Sequence, residues 1–195
     1  MIKVNKNSKS LVLASKSKDR RELLTKLKIP FTSFDSNIDE NIKPREKPSS
    51  LVKRLSFDKA EKAYKHNKGK FIIGIDTAVY SRRMFFSKTD EKNEARNNLL
   101  KLSGRRHGVY TGMVFITDNN KIHYSLTKSV VKFRLLDKKD IENYLNLQEW
   151  KGRAGSYSIR DNAEMMIKYF SGSYTAIAGL PIEKLYKLLK LYRFT

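Results

Sequence analysis

Apolar residues along this chain gather into short dense runs set between charged stretches, and the run at 71–80, FIIGIDTAVY, organises the rest. Large apolar and β-branched side chains there predict a buried strand. Asp76 lies inside it, and a buried carboxylate needs a partner or a metal because an unpaired buried charge is too costly. Ser81, Arg82 and Arg83 follow Tyr80, and a second apolar run starts at Met84. With those three residues as the loop, strand pairing sets 80 opposite 84 and 76 opposite 88. Asp76 then faces Lys88 with Cβ atoms roughly 5 Å apart. Two readings stay open at this point: a cross-strand ion pair, or a catalytic acid and a phosphate-facing lysine on one face of a sheet.

Short strands and amphipathic helices alternate through the remaining pattern. LVLA (11–14) predicts a buried strand, and SKSKDR (15–20) a polar turn into a helix through Leu23, Leu24 and Leu27. Ser17 suits the N-cap, which puts Arg20 at the third helical position, where a capping box prefers Glu or Gln. An arginine there opposes the positive end of the helix dipole unless an anion lies nearby. Strand, turn, helix N-terminus and arginine together describe a phosphate seat. FTSF (31–34) predicts another strand, and 38–48 a polar loop carrying Asp39 and Glu40. Ser49 or Ser50 caps a helix to about residue 66. Val52, Leu55 and Lys59 share one of its faces, so Lys59 can lay its stem along the core.

Thr89 is the expected cap of a third helix, with Asp90 and Glu91 in its first turn, Ala95, Leu99 and Leu102 inside, and Ser103-Gly104 as its stop. Residues 107–117 and 121–135 predict two long strands joined by a turn at 118–120. A helix over 137–147, a loop over 150–160 with Gly152 and Gly155, and a strand over 165–170 follow. The last helix is entered through Pro181 as its first residue, with Leu185, Leu188 and Leu189 inward. Helices and strands alternating around an antiparallel pair predict a mixed-sheet α/β fold.

With 195 residues, 39% hydrophobic and 11% aromatic, the chain can build a real core as one domain or two closely joined lobes. It contains no cysteine, which excludes disulfides and thiolate metal sites and fits a reducing compartment. No run approaches the roughly 18 apolar residues of a membrane span, and LVLA is too short for the apolar segment of a signal peptide. A soluble cytoplasmic protein without membrane association is the expectation, with residues 1–9 as a loose tail. A formal charge of +21 invites a nucleic-acid reading. The lysines nevertheless spread over nearly every predicted element. A solvated surface that draws in polyanions, nucleoside triphosphates among them, accounts for them better. The GxxxxGK[ST], GxGxxG and HExxH patterns are absent, and His66, His107 and His123 lie apart in the chain. His107 reads as a strand-end hydrogen-bonding residue, not as a base.

LASKSKDRRELL (13–24) resembles the LASxSPRRxELL opening of the Maf family, nucleoside triphosphate pyrophosphatases also described as septum-formation inhibitors. IDE (38–40) looks like that family's acidic loop, and RLSFDKA (54–60) is similar to its RLAxxKA helix. GIDTAV (74–79) resembles GADTVV, with Lys88 at the lysine of a following KP. LSGRRHGVYTG (102–112) is similar to LSGxxHxVxTG, WKGRAGSYSIR (150–160) to WxGKAGxYGIQ, and GSYTAIAGLP (172–181) to GSYxxVVGLP. Seven blocks in the right order span most of the chain.

The resemblance implies a mixed, largely antiparallel twisted central sheet flanked by helices, two-lobed with a cleft, as a single Maf-like domain over 1–195. It implies hydrolysis between the α and β phosphates of nucleotides, non-standard ones included, to a nucleoside monophosphate and pyrophosphate. A divalent cation, Mg²⁺ or Mn²⁺, and a homodimer are implied with it. By the same resemblance Asp76 is the catalytic base and, with Glu40, a metal ligand. Ser15, Ser17 and Arg20 form the phosphate-binding turn, and Lys59 and Lys88 bind the triphosphate. In-line attack by water needs activation and cations on the phosphoryl oxygens, and a hard cation prefers carboxylates plus phosphates. Three departures matter: Lys18-Asp19 replace the family's Pro-Arg, Thr89 replaces the proline of KP, and Arg160 replaces the glutamine of YGIQ. Asp19, Thr77 and Arg160 stand where branches of the family differ with the base accepted. Thr77 agrees with the branch favouring dTTP and UTP, whereas Asp19 and Arg160 do not. Arg160 as an ion-pair partner of Asp19 and Arg160 as a phosphate contact both stay open. The alternative reading is a catalytically weakened member acting as a basic nucleotide- or nucleic-acid-binding regulator.

Overall fold

The computed structural model describes residues 9–194, so the expected N-terminal tail, except Lys9, lies outside the described residues. Its strands are β1 (Leu11–Ala14), β2 (Phe31–Ser33), β3 (Phe71–Ser81), β4 (Met84–Phe85), β5 (Arg106–Ile116), β6 (Ile122–Phe133) and β7 (Ile167–Ser171). They form one seven-stranded sheet in the order β2-β1-β3-β5-β6-β7, with β4 paired to β3 off that path. Helices α1 (Lys18–Thr25), α2 (Pro48–His66), α3 (Lys92–Leu102), α4 (Lys138–Asn146), α5 (Tyr174–Ile177) and α6 (Ile182–Leu191) flank it. The class is mixed α/β, as the alternation predicts. β1 pairs in parallel with both β2 and β3, whereas β3–β4 and β6–β7 are antiparallel. Two compact units divide the chain: Met1–Asp76, Thr111–Leu126 and Gly179–Thr195 form the first, and Thr77–Tyr110 with Thr127–Ala178 the second.

In the first unit β1 is buried along its whole length and β3 from Phe71 to Asp76, which explains apolar runs without alternation. Val12, Ala14, Ile72, Val114 and Ile116 pack against Ala60 and Ala63 of α2. Two glycines set how closely that helix sits. A Cβ on Gly74 would fall 2.3 Å from Ser56 O and 2.6 Å from Ala60 Cβ, and one on Gly112 would fall 2.5 Å from Val52 O. The helix backbone therefore rests on bare strand backbone. Its start differs from expectation, because Pro48 opens it behind an N-cap at Lys47 and no serine side chain caps it. Proline suits the first turn, where its missing N–H is no loss. In α6, Pro181 is the N-cap and not the first helical residue; Leu185 and Leu189 are buried and Leu188 is half-buried.

The second unit is built on Val79, Phe86, Leu99, Val109, Phe133, Tyr144, Trp150 and Tyr157. Its hairpin corrects the expected register: Tyr80 pairs with Phe85 and Ser81 with Met84 around a two-residue turn. Arg82 and Arg83 both take positive φ, 48° and 61°, as the tight hairpin turn requires. That register, if continued, sets Thr77 and not Asp76 opposite Lys88, so the expected facing of Asp76 and Lys88 is corrected by one residue. Helix α3 starts at Lys92, leaving Asp90 and Glu91 before it. Thr89 does not cap it: its hydroxyl accepts from Glu91 N–H at 3.0 Å and donates to Glu94 Oε2 at 2.6 Å. Gly104 follows α3 at φ 65°, and Asp137 and Asp140 form a capping box on α4. A 3-10 turn (Asn162–Met166) takes the first residues of the strand expected from 165.

Candidate functional site

The apolar strand β1 ends at Ala14, and three polar residues then turn the chain into α1. Ser15 closes the turn, its N–H donating to Leu13 O at 2.9 Å and its Oγ accepting from Ser17 N–H at 3.2 Å. Ser17 is the N-cap, as predicted, with Oγ accepting from Arg20 N–H at 3.4 Å. The backbone N–H groups of the first turn of a helix find their partners outside the helical ladder, which is what suits such a turn to an anion. Arg20 does not reach into solvent. It is 6% exposed, with Nε donating to Gly179 O at 3.0 Å and Nη1 to Ser15 Oγ at 3.1 Å. Burial draws its guanidinium below the usual arginine value, while Asp76, Glu40 and Asp19 pull it back up. A buried cation facing three carboxylates is thereby fixed beside the turn.

Asp76 is placed by β3. Alternate strand residues share a face, so Asp76 lies on the same face as Gly74, against α2. Lys59 neighbours Ala60, which touches Gly74, and its Nζ stands 2.7 Å from Asp76 Oδ1 and 2.6 Å from Glu40 Oε1. Lys59 and Asp76 are each 4% exposed, whereas the Glu40 side chain is 45% exposed. The pair is a buried ion pair with a second carboxylate at its mouth.

Residues that the pattern of the chain did not single out hold the acidic loop. Arg54 donates Nε and Nη2 to the two carboxylate oxygens of Glu46 at 2.9 and 2.8 Å. The same Nη2 donates to Asn41 O at 2.9 Å, next to Glu40, and Lys62 Nζ donates to Asn37 O at 2.8 Å. Helix α2 thus supplies Lys59 and grips the loop on either side of it. Arg54 opens the RLSFDKA block, which is the signal that could have found it.

Of the expected site residues, the first unit brings together Ser15, Ser17, Arg20, Glu40, Lys59 and Asp76, with half-buried Asp19 in the first turn of α1. Thr77, Lys88 and Arg160 belong to the second unit. Thr77 follows Asp76 and points to the other face of β3; Lys88 is exposed beyond β4; Arg160 is half-buried at the end of loop 150–160. Among the described residues no three metal-ligating side chains cluster. Glu40 and Asp76 nonetheless converge on one ammonium, which marks a cationic position between two hard oxygen donors. Such a donor set fits a divalent cation that takes its other ligands from phosphate and water.

The comparisons with known proteins agree with these blocks. The family described as Maf-like protein matches residues 10–192. A nucleoside triphosphate pyrophosphatase of Anaplasma phagocytophilum is 38% identical over 184 residues, covering 94% of this chain and 95% of that one. A dTTP/UTP pyrophosphatase of Wolbachia pipientis is 37% identical over 185 residues, covering 94% and 93%. Among solved structures, the Ham1 protein of Staphylococcus aureus superposes with a TM-score of 0.45 at 14% identity, over 64% of this chain and 72% of that one. On the extent of the family match and the identity to these relatives, the chain belongs to the Maf-like protein family.

Proposed function

We propose that this protein hydrolyses nucleoside triphosphates between the α and β phosphates, releasing pyrophosphate, with Asp76 as the base that activates water. The observation that carries the reading is a buried carboxylate held 2.7 Å from a buried lysine, next to a capped helix N-terminus with its own buried arginine. In that arrangement the α1 amides, Ser15, Ser17 and Arg20 receive phosphoryl oxygens. Arg20 is already desolvated and oriented, so it need not reorganise as charge develops. Lys59 offsets the negative charge of Asp76 and faces the same anion. Asp76 takes the proton from the attacking water. Glu40 and Asp76 would hold Mg²⁺ or Mn²⁺, which when bound supplies charge neutralisation for the phosphates. Lys88 and Arg160 are assigned to the triphosphate, and Thr77 to the base. The names of the relatives put dTTP and UTP first among substrates to try. The match over 10–192 supports treating the chain as one catalytic domain.

The test is pyrophosphate release from a panel of nucleoside triphosphates with Mg²⁺ or Mn²⁺, using the purified chain and Asp76→Asn. The expected result is turnover that falls by about 100-fold or more in the variant, the order seen when a positioned base is lost. No release from any nucleotide, or an Asp76→Asn chain as active as the parent, defeats the reading.

A further inference from the structure

Two backbone hydrogen bonds in the second unit bracket Lys88. Gly155 N–H donates to Phe86 O at 2.8 Å, and Gly152 N–H donates to Thr89 O at 3.1 Å. Ser87 and Lys88 lie between those two carbonyls. Both glycines have positive φ, 76° and 64°, and a Cβ on Gly155 would press 3.0 Å from the Tyr157 ring and 3.2 Å from Val79 Cγ1. The loop that supplies this clasp is itself tied down. Tyr157 Oη and His107 Nε2 are hydrogen-bonded at 2.8 Å, Ser158 N–H donates to Tyr144 Oη at 3.1 Å, and Asn98 Nδ2 donates to Ser156 Oγ at 3.0 Å. His107 and Tyr157 are both buried and pack edge-on against Phe133, at 5.1 and 5.0 Å between ring centres. His107 Nδ1 is buried without a hydrogen-bond partner, so the tyrosine is the polar tie of the imidazole. Two aromatic hydrocarbons would fill the same space without desolvating an imidazole and a phenol. A pair that such hydrocarbons could replace at little cost is to be explained by what it orients.

We propose that the buried His107–Tyr157 hydrogen bond is a positioning device: it fixes loop 152–160 and, through the Gly152 and Gly155 clasp, holds the Lys88 main chain and Arg160 in one preformed arrangement for the triphosphate. This rests on the reading above, in which Lys88 and Arg160 face the nucleotide. His107 and Tyr157 are positioning residues and touch no substrate. A lysine whose backbone is already fixed loses less conformational freedom on binding, so the benefit falls on nucleotide affinity and not on the chemical step.

The experiment compares Tyr157→Phe with Ile141→Val, a buried methyl deletion on α4 of similar expected cost, in the full chain. Tyr157→Phe removes one oxygen and keeps the ring. Hydrogen exchange at the Gly152 and Gly155 amides is expected to quicken by roughly tenfold in Tyr157→Phe, with Ile141→Val unchanged. With dTTP or UTP and Mg²⁺, KM should rise by about three- to tenfold in Tyr157→Phe with kcat within about twofold, and Ile141→Val should leave both alone. Unaltered exchange at both glycines in Tyr157→Phe overturns the proposal, as does a KM rise of equal size in Ile141→Val. A parent chain that releases no pyrophosphate sinks the functional reading alone, because the exchange rates still decide whether this hydrogen bond holds the clasp.

Discussion

Replacing Lys59 by methionine tests the buried pair directly. Methionine keeps most of the apolar stem and removes the ammonium, so the change leaves Asp76 at 4% exposure without its hydrogen-bonded lysine. Breaking a buried ion pair by deleting one member costs about 3–5 kcal/mol where the remaining charge is left uncompensated, and the buried Arg20 guanidinium facing Asp76 puts this change at the low end of that range. Glu40 adds little, since its side chain is 45% exposed and contacts of that kind are worth about 0–1 kcal/mol. The expected loss is therefore set by Asp76, and it is large against the 5–15 kcal/mol of a typical domain. Urea unfolding of the parent and the variant measures it. The double variant Lys59→Met/Asp76→Asn should recover at least about 1.5 kcal/mol relative to additivity, the coupling expected of residues in contact. A deficit under about 1 kcal/mol, or additive single changes, would refute the claim that this pair is desolvated.

The second unit carries its own pH dependence. Burial lowers His107 from 6.5 to about 4. The unfolded chain therefore takes up a proton as pH falls through 6.5 while the folded chain does not. Stability is fully present above about 6.5 and declines by up to about 3 kcal/mol toward pH 4, and His107→Gln should flatten that part of the profile. Gly74→Ala should cost about 1–3 kcal/mol through overpacking against Ser56 O and Ala60, seen as a melting point lower by several degrees, together with weaker turnover; an unchanged melting point contradicts the close seating of α2. Arg54→Ala removes the paired contact to Glu46 and the bond to Asn41 O, so a loss of about 1–3 kcal/mol and a higher Mg²⁺ requirement are expected in unfolding and pyrophosphate assays.

Local signals in the chain were readable where one principle acted alone. Ser17 before Arg20, the acid in an apolar strand and Lys59 on the inner face of α2 are of this kind, and each lies where local pattern puts it. The partnership of Asp76 was not readable. Hairpin counting sets Lys88 opposite it, either as an ion-pair partner or as a phosphate-facing lysine beside a catalytic acid, and the count is off by one because the turn uses arginines at positive φ, where Asn or Gly would be the usual mark. Its actual partner comes from another element, and the approach of that element depends on the absence of side chains at Gly74 and Gly112. Helix starts misled for a different reason: Ser49, Ser50 and Thr89 look like caps, but Pro48 at the first turn and the Thr89–Glu94 contact decide the geometry instead. The loop 150–160 announced its two glycines, but not the carbonyls of Phe86 and Thr89 that they grip.

The seating of α2 on two bare α-carbons has a thermal corollary. When the gap between a lysine and an acid is set by flexible side chains, warming widens it gradually and catalysis fades ahead of melting. Here main-chain atoms meet with no room for a methyl group between them, so the spacing behaves as a ruler with a single setting. Turnover should climb with temperature until the helix comes away, then collapse within the same few degrees as the fold.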